Sequence, residues 1–190
     1  LPHFTKNVLT AIGHFAMDDH RKAGHYISQF SKFTHLTLEN SDKNYNKLEN
    51  ELNYIETYLS LEKMRFDKRL EYTVSVGENV DVSVLIPAMA LHTYCDNAIR
   101  HGIVNKSGEG NLHVTINKTD DGVSIQITDN GIGRKRSAEL GTHGNQMGLQ
   151  LIQQQLDFYN RLNDRWIVQT ITDLEDEAGN GLGTTVELYI

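Results

Sequence analysis

Asp96-Asn97-Ala98-Ile99-Arg100-His101-Gly102 concentrates four chemically active side chains in seven residues. Pro87 upstream suits the first turn of a helix and Gly102 the position just past its end, so the residues between read as one helix. Leu91, Tyr94, Cys95 and Ala98 share one side of that helix and would face a core. Thr93, Asp96, Asn97, Arg100 and His101 gather on the other. A carboxylate, a carboxamide and two potential cations on one face suit a metal ion and a phosphate chain. An exposed helix face carrying an Asp96–Arg100 pair explains the same spacing.

Around this helix the apolar pattern alternates. Leu70, Tyr72, Val74 and Val76 read as a strand, and Gly77-Glu78-Asn79 marks a turn. His113–Asn117 and Val123–Ile127 alternate again, joined by Asp120-Asp121-Gly122, a hairpin signal. Met147–Leu162 reads as a helix, Trp166–Ile171 and Thr184–Ile190 as strands, and Asp173–Asn180 as a loop. Without a strict βαβ rhythm the expected class is α+β, helices packed on a largely antiparallel sheet.

Residues 1–69 read as helical. Leu9, Ile12, Phe15 and Ala16 keep a helical period, and Tyr26, Ile27, Phe30, Phe33 and Leu36 resume it after the polar Asp18–Lys22 run. Past the polar Glu39–Lys43 stretch, Asn46 and Glu49 read as a capping box. Leu48, Leu52, Ile55 and Leu59 then form a seam that packs either within the chain or across a dimer. The expected organisation is a helical region over 1–69 and an α/β sandwich over 70–190.

Asp129-Asn130-Gly131-Ile132-Gly133 closes one of the strands. A carboxylate there can accept from an adenine amino group, and glycines let backbone approach a ligand; an Asx-capped turn has the same spacing. Asn97 is a neutral oxygen ligand, and Mg²⁺ usually takes few protein ligands beside phosphates and water. Asp96 can orient water or accept a proton. Arg100 and His101 can neutralise phosphate charge or simply suit a helix C-terminus. Gly141, Gly144 and Gly148 lead into a helix at Leu149, which fits a phosphate-binding lid or a plain loop. Gly183-Thr184 offers a close approach and a hydroxyl. His3 has an imidazole able to attack a γ-phosphoryl group.

The chain has 190 residues and a formal net charge of -7, with 18 Lys and Arg against 25 Asp and Glu. It carries no basic stripe, which argues against direct nucleic-acid binding. One cysteine, Cys95, excludes an internal disulfide and a Cys-based zinc cluster. No apolar run is long enough to span a membrane. The chain opens at Leu1-Pro2-His3, inside what reads as a motif, so a fragment of a longer, ATP-accessible cytoplasmic protein is expected.

Taken in order, the asparagine helix, Asp-x-Gly-x-Gly, the glycine-rich segment and Gly181-Leu182-Gly183-Thr184 resemble the GHKL-type ATP-binding domain. Sensor histidine kinases, DNA gyrase and related chaperone and mismatch-repair ATPases share that Bergerat fold. Pro2-His3-Phe4-x-x-Asn7-x-Leu9 resembles the phosphoacceptor motif of LytS-type sensor histidine kinases. Leu48-x-x-Glu51-Leu52-x-Tyr54-Ile55-x-x-Tyr58-Leu59-x-Leu61-x-x-x-Arg65-Phe66 and Ile86-Pro87 to His101-Gly102 are similar to that family's next two segments. Leu1 stands where the family has Asn, Thr5-Lys6 where it has Leu-Phe, His92 where Gln is common, and Asp96 where it has Glu.

The resemblance implies a histidine kinase with an N-terminal helical hairpin for dimerisation and phosphoacceptance. His3 would be the acceptor, Asp96 a catalytic acid or base, and Asn97 the Mg²⁺ ligand. Asp129 would bind adenine. Arg100, His101, Gly131, Gly133, Gly144, Gly148, Leu149 and Thr184 would complete the ATP pocket and lid. It also implies ATP and Mg as cofactors, a homodimer, and a response regulator, often with a DNA-binding output domain, as partner. An inner-membrane sensor part would lie upstream. The alternatives are a non-catalytic nucleotide-binding module and an ATP hydrolase.

Overall fold

A computed structural model describes residues 2–140, 146–163 and 166–190. Two helices come first, α1 (Pro2–Asp18) and α2 (His20–Ser41). Asp19 separates them because its carboxylate caps α2, accepting from the N–H groups of Arg21 at 3.1 Å and Lys22 at 3.0 Å. Phe15 meets Tyr26 edge-on and Phe4 meets Phe33 at 4.8 Å between ring centres, so α2 runs back along α1 as a hairpin. Leu9 and Ile27, which keep the helical period, are nonetheless 56% and 51% exposed on its outer side.

A short strand β1 (Tyr45–Lys47) precedes α3 (Leu48–Phe66). The whole Leu48, Leu52, Ile55, Leu59 seam is buried within one chain, which leaves it no free surface for a dimer contact. Tyr54, Tyr58 and Leu61 are buried too, so α3 is enclosed on most sides. The capping box does not form. Asn46 belongs to β1 and spends its side chain on Lys47 N–H, Asn50 and Asn40.

The polypeptide then forms β2 (Leu70–Val76), β3 (Leu85–Pro87) and α4 (Ala90–Asn97). Pro87 ends a strand rather than opening a helix, because β3 pairs antiparallel with β1. The helix starts behind Met89, whose φ of 63° turns the chain. Buried Glu51 reaches over from α3 to accept the Met89 N–H at 2.9 Å, serving as a cap from another element. After α4 the chain widens into a π-helical turn over Ala98–Ile103 instead of stopping at Gly102.

The rest comprises β4 (Gly110–Lys118), β5 (Val123–Asp129), α5 (Gly133–Glu139), α6 (Gln146–Leu162), β6 (Val168–Glu175) and β7 (Gly181–Tyr189). The main sheet has the order β2-β4-β5-β7-β6, with only β2 and β4 parallel. Leu112, Val114, Ile116, Ile125, Ile127, Val186 and Leu188 line its buried face, while Gln126 bonds Glu187 on its wet face. The loop over 173–180 is shorter than the sequence suggests. β6 runs on to Glu175, and an Asp176 carboxylate accepting from Ala178 and Asn180 closes a tight turn into β7. α6 buries Ile152, Leu156 and Tyr159 at helical spacing.

Candidate nucleotide site

Between α4, α5 and the end of the sheet lies a cavity of 340 Å³. α4 and the π turn contribute Tyr94, Asn97, Ala98, His101 and Gly102 to it. β5 contributes Ile127 and Asp129, α5 Gly133, Arg134, Ser137 and Ala138, and α6 Leu149. Ile171 of β6 and Thr184 and Val186 of β7 complete the wall. The wall is mainly apolar, with a few polar groups pointing inward, the ordinary make-up of a small-molecule site.

Two glycines bring the Asp129 motif against the helix. A Cβ at Gly131 would sit 2.4 Å from the Gly102 Cα, and one at Gly102 would sit 2.8 Å from Asp129 Oδ1. At Gly131 the obstacle is backbone, and at Gly102 it is the Asp129 carboxylate, which the Gly131 N–H holds in place. Gly102 therefore serves close packing inside the π turn, not helix termination, and Gly131 stands behind the cavity wall. Gly183, at φ 139°, lies under the end of β5, where a Cβ would meet the Asp129 carbonyl at 1.9 Å. Asp129 and Thr184 are partners across β5 and β7.

Asp129 is 5% exposed, and its Oδ1 accepts the Gly131 N–H at 2.7 Å. Burial pushes its carboxyl up to about 6, against the pull of the Gly131 and Thr184 N–H groups and of Lys106. Asn97 presents both its amide atoms, and His101 its Nε2, buried and without a hydrogen-bond partner on the protein. Such groups are costly unless a ligand satisfies them. Burial, then Arg100, holds the His101 imidazole below its ordinary range, so it is neutral at physiological pH.

Among the described residues no three His, Cys, Asp or Glu side chains converge on one point. A cation here would rest on the Asn97 oxygen together with phosphate and water, the donor set Mg²⁺ takes with nucleotides. The orphaned Asn97 oxygen fits that ion.

Of the residues singled out in the sequence, Asn97, His101, Asp129, Gly133, Leu149 and Thr184 meet around the cavity. Asp96 and Arg100 are not part of its wall; they pair with each other at 3.3 Å. His3 belongs to α1 and Gly148 to α6 by backbone, but the His3 side chain and Gly144 fall outside the described residues. The sequence reading missed Ile127, Ile171, Val186 and, on α5, Arg134, Ser137 and Ala138. Ile127 was within reach, since it shares a strand face with Asp129. Arg134 is held by a two-pronged ion pair to Asp173 at 2.6 and 2.8 Å, which ties α5 to β6.

Two family profiles match the chain. One described as histidine kinase covers residues 1–70. One described as histidine kinase-, DNA gyrase B-, and HSP90-like ATPase covers residues 86–190. The chain belongs to the histidine kinases. The sensor protein LytS of Staphylococcus saprophyticus is 31% identical over 132 residues, 70% of this chain and 22% of that protein. The LytS of Oceanobacillus iheyensis matches equally, at 31% over 132 residues with the same coverage. The chain thus spans about a fifth of the length of these LytS relatives. The catalytic domain of histidine kinase ThkA superposes with a TM-score of 0.49 at 12% identity, over 77% of this chain and 96% of that one. For this histidine kinase the ATPase-profile match runs through the cavity wall just described, from α4 to β7.

Proposed function

We propose that this chain binds Mg-ATP in the cavity and transfers the γ-phosphoryl group to His3. The observation that carries this reading is the Asn97 amide, buried and unsatisfied in the wall of a cavity that Asp129 also lines. In this reading Asp129 accepts from the adenine amino group, and Thr184 adds a hydroxyl beside it. His101 and Arg100 face the phosphates, Leu149 packs at the pocket edge, and Gly131 and Gly133 shape the backbone around the base. Gly144 and Gly148 form the lid. Asn97 would hold Mg²⁺, which when bound neutralises phosphate charge.

A His3 ring nitrogen attacks the γ-phosphorus in line, the bond to the bridging oxygen breaks, and ADP leaves with that electron pair. Asp96 receives the imidazole proton. We infer further that the phosphoryl group passes to an Asp of a response regulator, one with a DNA-binding output domain. Residues 1–69 form the dimerisation and acceptor region and 70–190 the catalytic domain, a division that the two family profiles support. The outward apolar residues Leu9, Met17, Ile27 and Leu38 of the hairpin support a homodimer. Among the described residues no helix is long and apolar enough to cross a membrane. Attachment to an inner-membrane sensor would come from elsewhere in the parent protein.

Incubation with γ-labelled Mg-ATP tests the reading. Acid-labile, base-stable label on the wild type, absent from His3→Ala and Asn97→Ala, is the expected outcome. Phosphate release without bound label would instead identify a hydrolase, and nucleotide binding with neither would identify a non-catalytic module.

A further inference from the structure

Tyr58 lies on α3 with no exposed surface. Its hydroxyl donates to Asp96 Oδ1 at 2.9 Å, while Arg100 Nη1 approaches the other oxygen, Oδ2, at 3.3 Å. Each carboxylate oxygen therefore has its own donor, and the group cannot rotate without breaking one of them. A buried phenol must find an acceptor somewhere. Tyr26, on α2, settles on the Leu61 carbonyl of α3. Tyr58 instead reaches across to the one acid that adjoins Asn97 in the chain.

The ring of Tyr58 has a second set of neighbours. Phe4 lies 5.2 Å away, Phe33 6.1 Å and His92 4.6 Å, centre to centre. Phe4 is the residue that follows His3. One side chain thus touches the start of the acceptor helix with its ring and the Asp96 carboxylate with its hydroxyl. Burial holds the phenol well above its ordinary range, so the hydroxyl keeps its proton and remains a donor.

We propose that Tyr58 is a positioning residue for phosphoryl transfer, fixing the Asp96 carboxylate in the orientation the reaction uses. The proposal rests on the kinase reading above. Tyr58→Phe is the variant of choice because it keeps the ring and its packing and removes only the hydroxyl. Three readouts are taken on the full chain: the Mg-ATP dissociation constant, the rate constant of phosphohistidine formation, and the ¹³Cγ resonances of labelled aspartates.

The expected result is unchanged Mg-ATP affinity with about a tenfold slower transfer, the order expected for losing one hydrogen bond to a charged group. In an Asp96→Asn background the same change should cost less than about twofold, because the two residues act as a unit. The Asp96 resonance should move and the Asp129 resonance should stay in place. Transfer at the wild-type rate, a full tenfold loss persisting without the Asp96 carboxylate, or an unmoved Asp96 resonance would each overturn the proposal. A wild-type chain that forms no phosphohistidine overturns the kinase reading itself, and the positioning role with it.

Discussion

Replacing Asp129 by Asn should make the empty protein more stable and nearly abolish its use of nucleotide. The buried carboxyl is raised from 3.8 to about 6 by loss of solvation. A raised acid binds more protons folded than unfolded, so its effect on stability is most favourable below 3.8 and is lost as pH climbs through about 6. At about 1.4 kcal/mol per pH unit, that interval is a penalty on the order of 3 kcal/mol at neutral pH. An asparagine keeps an oxygen for the Gly131 N–H but carries no charge to desolvate. Denaturant unfolding at pH 7.5 (a ~neutral buffer) should therefore show Asp129→Asn about 1–3 kcal/mol more stable than wild type, a gap that closes near ~pH 4. Binding should move the other way. A proton on the wild-type carboxylate competes with the adenine amino group, so affinity should fall about tenfold for each pH unit below about 6, while the variant is weak and flat across the range. A variant less stable than wild type at every pH would rule out a desolvated carboxyl at Asp129, and a wild-type affinity indifferent to pH would rule out its contact with the adenine.

Other consequences follow from specific contacts. Gly131→Ala forces a Cβ to within 2.4 Å of the Gly102 Cα. It should cost about 3 kcal/mol in thermal unfolding and weaken Mg-ATP binding in calorimetry, because the Asp129 loop must back away from the helix. Glu51, raised by burial from 4.5 to about 7, also disfavours the fold as pH rises through that window. Glu51→Gln should flatten urea stability over that range, whereas Glu51→Ala strands the Met89 N–H and should lose about 1–3 kcal/mol. Because Phe4 sits on Tyr58 of its own chain, mixing His3→Ala with Asn97→Ala protein should yield no phosphohistidine on gels. Label in the mixture would mean transfer between chains.

The parts of the fold legible in the sequence are those where one local pattern decides one local structure. Leu70–Val76 alternates because Leu70, Tyr72 and Val74 turn one face of β2 to the core, and Asp120-Asp121-Gly122 turns because its residues tolerate the hairpin backbone. What stayed hidden depends on residues far apart. Pro87 reads as a helix start until β1 arrives beside it, and Asn46 reads as a cap until that pairing makes it a strand residue. Gly102 looks like a terminator because nothing local reveals that Asp129 and Gly131 press on it. The π turn has no distinctive sequence pattern. For the cavity, the polar groups Asn97, His101, Asp129 and Thr184 stand out by their chemistry. Its apolar wall of Ile127, Ile171 and Val186 resembles any other core until the β5-β7-β6 order sets those strands side by side.

The most direct measurement is mass spectrometry of the protein after Mg-ATP treatment, digested and analysed under basic conditions that preserve phosphoramidates. A phosphoryl group on the peptide carrying His3 is expected, present with wild type and absent with Asn97→Ala. An unmodified His3 peptide from protein shown by calorimetry to be saturated with Mg-ATP would contradict transfer to His3.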